Sequence, residues 1–430
     1  MATYLTRTPS SAGNRKTWTF SAWIKRTGSL TANQTIFHGS PANPTTTIRF
    51  GSESASDGKL NFYHYSGSFT TQVVTNREFR DTNGWYHIVA SVDTTQGTEA
   101  NRVKLYVNGV QETSLMTATY PSQNFDFSIN NNTAQVIGAT SSGGDSFSGS
   151  MSHVHFIDGT AYDPTVFGST DATTGEWKIN TSPSVTYGNN GFFILKDGNS
   201  VTDQSGNGNN FTVGGGTLTK TEDCPSNVFC VWNVNNVAAG NQAAPPMTNG
   251  ATGVSGAGQA VGTIGDFLSR NKKYYYEFKG TDIDGSDSEA VGWSTEISAQ
   301  SGSWAAHNTL FLYGSSGKIY GTSGWTGVVA PTWTNGDIIG CSVDCSSNEI
   351  KWYKNDSLAY TISSISFDGD LIFPHAQWQS SSAGVANFGN GSFGTSSISS
   401  AGTNASSIGL FEYDVKPTDA TALSTKGLNL

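Results

Sequence analysis

Residues 335–355, NGDIIGCSVDCSSNEIKWYKN, read as two strands joined by a turn. Ile339, Cys341, Val343 and Cys345 fall on alternate positions of the first strand, so they share one face. Ile350 and Trp352 continue that apolar face on the returning strand, after a turn at 346–349. Two cysteines and several carboxylates so close together raise the question of a reactive or metal-binding site. The pattern answers it: the thiols occupy slots where a core takes small apolar side chains. Asp344 and Glu349 fall on the opposite face or in the turn. The expectation is therefore a sandwich hairpin.

The whole chain has the same texture. It has 430 residues, enough for two or three domains, with 50 glycines, 12% aromatics and only 13% charged residues. Aromatic and β-branched runs broken by Gly, Asn and Ser clusters predict many short strands and an all-β protein. A formal net charge of −10 argues against a phosphate-neutralising surface, hence against nucleic acid as partner. No apolar segment predicts a signal peptide or membrane insertion, so the expected place of synthesis and folding is a cytoplasm. Cys224 and Cys230 are separated by five residues and lie far from Cys341 and Cys345, a poor spacing for zinc. Buried free thiols are the expectation in a reducing compartment.

In the first half, KTWTFSAWIKR (16–26) places Trp18, Phe20, Ala22 and Ile24 on one face. GWYHIVASVD (84–93) does so with Tyr86, Ile88, Ala90 and Val92, and RVKLYVNGVQ (102–111) with Val103, Leu105 and Val107. The last reaches Asn108-Gly109, a strong hairpin signal. A further strand runs through FSGSMSHVHFIDG (147–159). In this order the pieces resemble the laminin-G-like, concanavalin-A-like jelly-roll family over about residues 3–168. The resemblance implies two stacked antiparallel sheets and a surface used to bind sugars or proteins. Some members bind calcium at the rim. Asp145 is a loop candidate for that, with a solvated turn residue as the alternative, and no convincing acidic cluster accompanies it. The expected cofactor is therefore none, with calcium possible but unsupported. Laminarinase-like glycosidases share the fold, but their Glu-x-Asp-x-x-Glu pattern is missing here. His153 and His155 alternate on one strand, a spacing that can hold a metal, yet no third ligand can be named.

Residues 169–223 read as a connector with one strand near 191–196, then a Gly/Asn-rich loop. DQSGNGNNFT (203–212) resembles a phrase of phage structural proteins that carry such sandwiches. It either adds an edge strand to a neighbour or is a plain linker. GAGQAVG (256–262) has its third glycine one place late for a dinucleotide fingerprint, and no strand-then-helix context surrounds it.

NKKYYYEFKG (271–280), AVGWSTE (290–296), the 335–355 hairpin, FPHAQW (373–378) and VANFGNGSF (385–393) follow one another as in SPRY domains, which this region resembles over 224–398. Cys341 and Cys345 stand where larger aliphatics are usual. The resemblance implies a bent sandwich that binds through loops at one end. Trp293 and Trp352 read as core, whereas Trp304, Trp325 and Tyr313 are candidate ligand contacts, with edge-covering rings as the alternative.

The resulting expectation is two antiparallel β-sandwiches: a jelly roll at 1–168, a connector at 169–223, a SPRY-like sandwich at 224–398, and a tail at 399–430 with a possible docking segment, GLFEYDVKP. Neither a catalytic residue nor a metal ligand can be assigned, so a non-enzymatic protein is expected. The resemblance implies a phage virion protein, assembled in the host cytoplasm: a tail fibre, an appendage or a capsid decoration. Its expected partners are other virion proteins, host surface polysaccharide and further copies of itself. A secreted lectin or adhesin and a laminarinase-like hydrolase are the alternatives.

Overall fold

The computed structural model describes residues 3–27, 32–39, 42–51, 57–141, 143–196, 200–233, 247–264, 266–267, 272–283, 289–295, 311–321, 324–365, 371–378 and 382–429. The chain divides into two compact units, Met1–Leu218 and Thr219–Leu430. Among the described residues the strands pair antiparallel, and the only helical elements are short 3-10 turns. No described helix is long and apolar enough to cross a membrane.

The first unit stacks two sheets. The six-stranded sheet runs in the order Phe192–Ile194, Gly149–Asp158, Thr17–Arg26, Trp85–Asp93, Val103–Val107, Val110–Gln111. Register pairs Phe20 with Ala90 and Phe156, and Ala90 with Leu105, so the apolar faces expected from alternation align across strands. The eight-stranded sheet supplies Phe37, Ile48, Phe50, Leu60, Phe62 and Val73 to the same core. Each such side chain, fully buried, contributes about 1.5–3 kcal/mol. Asn108 and Gly109 both take positive φ (47° and 79°) at the tight turn between Val103–Val107 and Val110–Gln111, as a primed hairpin requires.

Simple alternation fails in two places. The outward residues of Thr17–Arg26 are also buried, because the chain from 160 to 187 folds back over that face. Val89, Tyr106, Ile157 and Phe167 form a second small core there, with Tyr162, Val166 and Tyr187 packed on it. In Gly149–Asp158 the register shifts between Ser152 and His155, with His153 at φ 49°. Across that bulge both histidine rings still lie against Phe193, His153 at 5.7 Å and His155 at 4.0 Å.

Residues 169–218 belong to the first unit rather than to a connector. Phe192–Ile194 pairs with Gly149–Asp158, and Thr212–Gly215 closes the edge of the eight-stranded sheet against Tyr4–Arg7. Between them, the DQSGNGNNFT loop is a knot around Asp203. Its carboxylate accepts from Phe193 N (2.8 Å), Ser205 N (2.9 Å), Ser205 Oγ (2.7 Å) and Asn209 N (2.9 Å). The Asn207 and Asn209 amides each donate to Gly191 O.

The second unit stacks a sheet ordered Met247–Thr248, Gly253–Ser255, Ala383–Asn387, Lys273–Asp282, Ile338–Asp344, Glu349–Lys354, Ser357–Ile362 on another ordered Gly258–Val261, Leu371–Trp378, Ala290–Ser294, Phe311–Gly314, Lys318–Gly321, Gly324–Val328. The hairpin has the expected register: Cys341 faces Trp352, Val343 faces Ile350, and Asp344 faces Glu349. Cys341, Cys345 and Trp352 are buried in one core with Trp293. All four cysteines are free thiols. Asp344 accepts from Ser346 N and Ser347 N and so fixes the turn. Residues 256–257 lead directly from the strand Gly253–Ser255 into the strand Gly258–Val261. The tail docks on its own unit: Phe411, Val415, Ala420 and Ala422 pack with Phe229 and Tyr275.

Candidate functional site: a polar cleft with two tyrosines

The return of residues 160–187 over the six-stranded sheet leaves part of that outer face open. There lies a cleft of about 270 Å³ lined by Ser91, Asp93, Gln96, Asn101, Lys104, Tyr106, Ala161, Tyr162 and Asp163. Its floor comes from strand alternation. Ser91 and Asp93 point outward from Trp85–Asp93, and Lys104 and Tyr106 from Val103–Val107, with Ser91 and Lys104 directly paired. One wall is the turn after Asp93 with the 3-10 turn Glu99–Asn101; the other is the loop 161–163 that opens the returning segment.

Hydrogen bonds hold both walls. Asp93 accepts from Thr95 N (3.0 Å), Thr95 Oγ1 (2.6 Å) and Gln96 Nε2 (2.5 Å). Burial pushes this carboxyl up, but the donors outweigh it and hold it below its ordinary value, so it is ionised at neutral pH. Asp163 caps the 3-10 turn Pro164–Val166, accepting from Thr165 N (3.1 Å) and Thr165 Oγ1 (2.9 Å). Thr19 Oγ1 accepts from Tyr162 N at 2.7 Å and so anchors the second wall to the sheet. Burial, and then the charge of Asp163, raise the Tyr106 phenol, which therefore remains a neutral donor. Two aromatic rings beside hydroxyl, amide and charged groups suit a small polyhydroxylated ligand: rings stack on its apolar faces and polar groups fix its orientation.

A second polar group on the same sheet invites a catalytic reading. Ser21 Oγ lies 2.8 Å from His87 Nε2, and both residues are buried. His87 Nδ1 accepts from Trp177 Nε1 at 3.0 Å, and an indole N–H only donates. Burial lowers the imidazole to about 3, so it is neutral. With Nδ1 accepting, the proton sits on Nε2 and points at Ser21. The histidine is a donor to that hydroxyl and cannot take its proton as a general base. Trp23 and Trp177 stack on the ring at 5.1 and 5.9 Å, which makes this a packing element.

The candidates from the sequence lie elsewhere. Tyr313 is a core residue, not a loop contact: it is fully buried against Trp333 and Trp352, and its hydroxyl donates to Pro331 O. Trp325 sits on the edge strand Gly324–Val328, half-buried and edge-on to Tyr320 at 5.1 Å. Trp304 lies outside the described residues. Asp145 is a loop residue at φ 42°, bound to Arg49 at 3.3 Å. His155 is buried and bonded to Tyr187 OH at 2.8 Å, while His153 bonds Ser152 Oγ. Among the described residues, no group of three His, Cys, Asp or Glu side chains could hold a metal. The cleft escaped the sequence because its two walls are 60 residues apart and each reads as an ordinary turn.

Residues 2–167 match the family described as the concanavalin A-like lectin/glucanases superfamily, and residues 273–391 match the SPRY domain family. The chain thus carries a concanavalin A-like sandwich followed by a SPRY sandwich. No curated protein matches. Among solved structures, the SPRY domain of human HERC1 is 19% identical over 31% of this chain and 87% of its own, with a TM-score of 0.27. The TRIM65 PSpry domain is 10% identical over 37% of this chain and 91% of its own, with a TM-score of 0.29.

Proposed function

We propose that this chain is a non-enzymatic recognition protein of a phage virion that binds host surface saccharide in the Tyr106–Tyr162 cleft of its first unit. The observation that carries the binding assignment is the cleft itself, with two tyrosines, two amides, a serine hydroxyl and an ammonium around one open space. Its carboxylates support a binding role rather than hydrolysis, because Asp93 and Asp163 are both engaged in holding turns. The virion assignment draws on the pairing of the two sandwich types and on the Gly/Asn-rich phrase at 203–212. A single shallow cleft binds weakly, so many copies on one particle would supply avidity, with neighbouring virion proteins as the mount.

A glycan array probed with the full chain tests the reading. Binding to bacterial surface glycans that is lost in Tyr162→Ala supports it; no binding, or binding unchanged in the variant, overturns it. Mass spectrometry of particles produced by the encoding genome tests the virion part, which falls if the chain is missing from them. Release of reducing sugar from laminarin would overturn the non-enzymatic part.

A further inference from the structure

We infer that the cleft selects saccharides bearing a carboxylate, such as uronates, and that the Lys104 ammonium receives that group. The inference rests on the saccharide reading above and comes from sorting the cleft's polar atoms by whether the fold already uses them. On the acceptor side, Asp93 is engaged by Thr95 and Gln96, with Thr17 Oγ1 a further donor at 3.4 Å. Asp163 Oδ1 is engaged by Thr165. On the donor side, the Lys104 ammonium, the Asn101 amide and the Ser91 and Tyr106 hydroxyls make no hydrogen bond with any described residue. Lys104 forms no ion pair with either aspartate, although all three line the same space.

The fold commits Asp93 and one oxygen of Asp163 to turns, leaves Asp163 Oδ2 without a hydrogen bond to a described residue, and leaves the donors, including the one cation among the lining residues, facing the open space. Hydroxyls of a neutral sugar both give and take hydrogen bonds and offer an ammonium no more than water does. A carboxylate only accepts and forms a charge-assisted hydrogen bond with it, which is about twice as strong as a neutral one. Asn101 and Tyr106 can donate to the remaining carboxylate oxygen or to the ring hydroxyls, while Tyr162 offers a stacking face. The like charges of Asp93 and Asp163 both oppose the anion, but Asp93 is turned to its own donors from Thr17, Thr95 and Gln96 and Asp163 is exposed to solvent and screened by salt, so direct contact with Lys104 outweighs them.

The test is calorimetric titration of the full chain with tri-galacturonate and tri-mannuronate and with their methyl esters, which keep the shape and remove the charge. The acids are expected to bind about tenfold or more tightly than the esters. Their binding should weaken between about 50 and about 300 mM NaCl. Lys104→Gln should erase the difference between acid and ester, and Tyr162→Ala should weaken the binding of both. Esters binding as well as acids, with both weakened by Tyr162→Ala, would overturn the carboxylate selection and leave the saccharide reading standing. If neither acids nor esters bind, or if Tyr162→Ala changes nothing, both fall.

Discussion

Glu277 is fully buried, and its carboxylate holds the C-terminal segment in place. Oε2 accepts from Glu412 N (2.8 Å) and Asn387 Nδ2 (3.1 Å), and Oε1 from Tyr413 N (2.8 Å). Tyr275 OH stands 3.4 Å from Oε1. Burial pushes this carboxyl up from its ordinary 4.5 to about 7, against the downward pull of those donors. Between those pH values the folded chain holds a proton that the unfolded chain has released. This group's stabilising contribution is therefore complete below pH 4.5 and is lost as pH rises through 7. The swing is up to about 3 kcal/mol. Urea midpoints of the wild type should fall between pH 5 and 8.5 relative to those of Glu277→Gln; parallel profiles would refute the assignment. The thiols give a second test at this scale. Cys230, Cys341 and Cys345 are buried and Cys224 is partly exposed. Iodoacetamide on the native protein should label Cys224 by mass spectrometry, and the other three only after denaturation.

Strand elements follow alternation wherever one face meets a core, which is why the hairpin at 338–354 and the strands at 17–26, 85–93 and 103–107 were legible from residue pattern alone. The Asp203 loop was not. Its glycines and asparagines read as a connector, either adding an edge strand to a neighbour or a plain linker, because composition cannot show that one carboxylate gathers four donors from positions 193 to 209. Asp203→Ala leaves those donors without their acceptor and should destabilise the first unit by about 3 kcal/mol or more, read as a lower urea midpoint. A flexible linker would show no change. The cleft was equally hidden, since Tyr106 and Tyr162 converge only through the return of the chain over the sheet.

For the whole molecule, the decisive correction is where the first unit ends. Strands at 192–194 and 212–215 complete its two sheets, so a fragment ending at 168 loses one of the two partners of Gly149–Asp158 and of Tyr4–Arg7. A fragment of residues 1–218 should fold and melt cooperatively, whereas 1–168 should aggregate or melt at markedly lower temperature. Equal stability of the two would restore the connector reading. Residues 219–430 should likewise fold alone only with the tail, because Phe411, Val415 and Ala422 cover Phe229 and Tyr275. The expected SPRY-like boundary at 398 omits that cover.

By itself the sequence determined the all-β class, the inward and outward faces of the long strands, and the burial of the hairpin thiols. Each follows from a two-residue period that adjacent side chains enforce locally. Tertiary structure alone decided that 169–218 completes the first sandwich, that Tyr313 is core, that His87 donates to Ser21, and that a donor-rich cleft opens beside Lys104. Those outcomes depend on which distant segments cover a given face, and strand periodicity carries no record of what lies across from it.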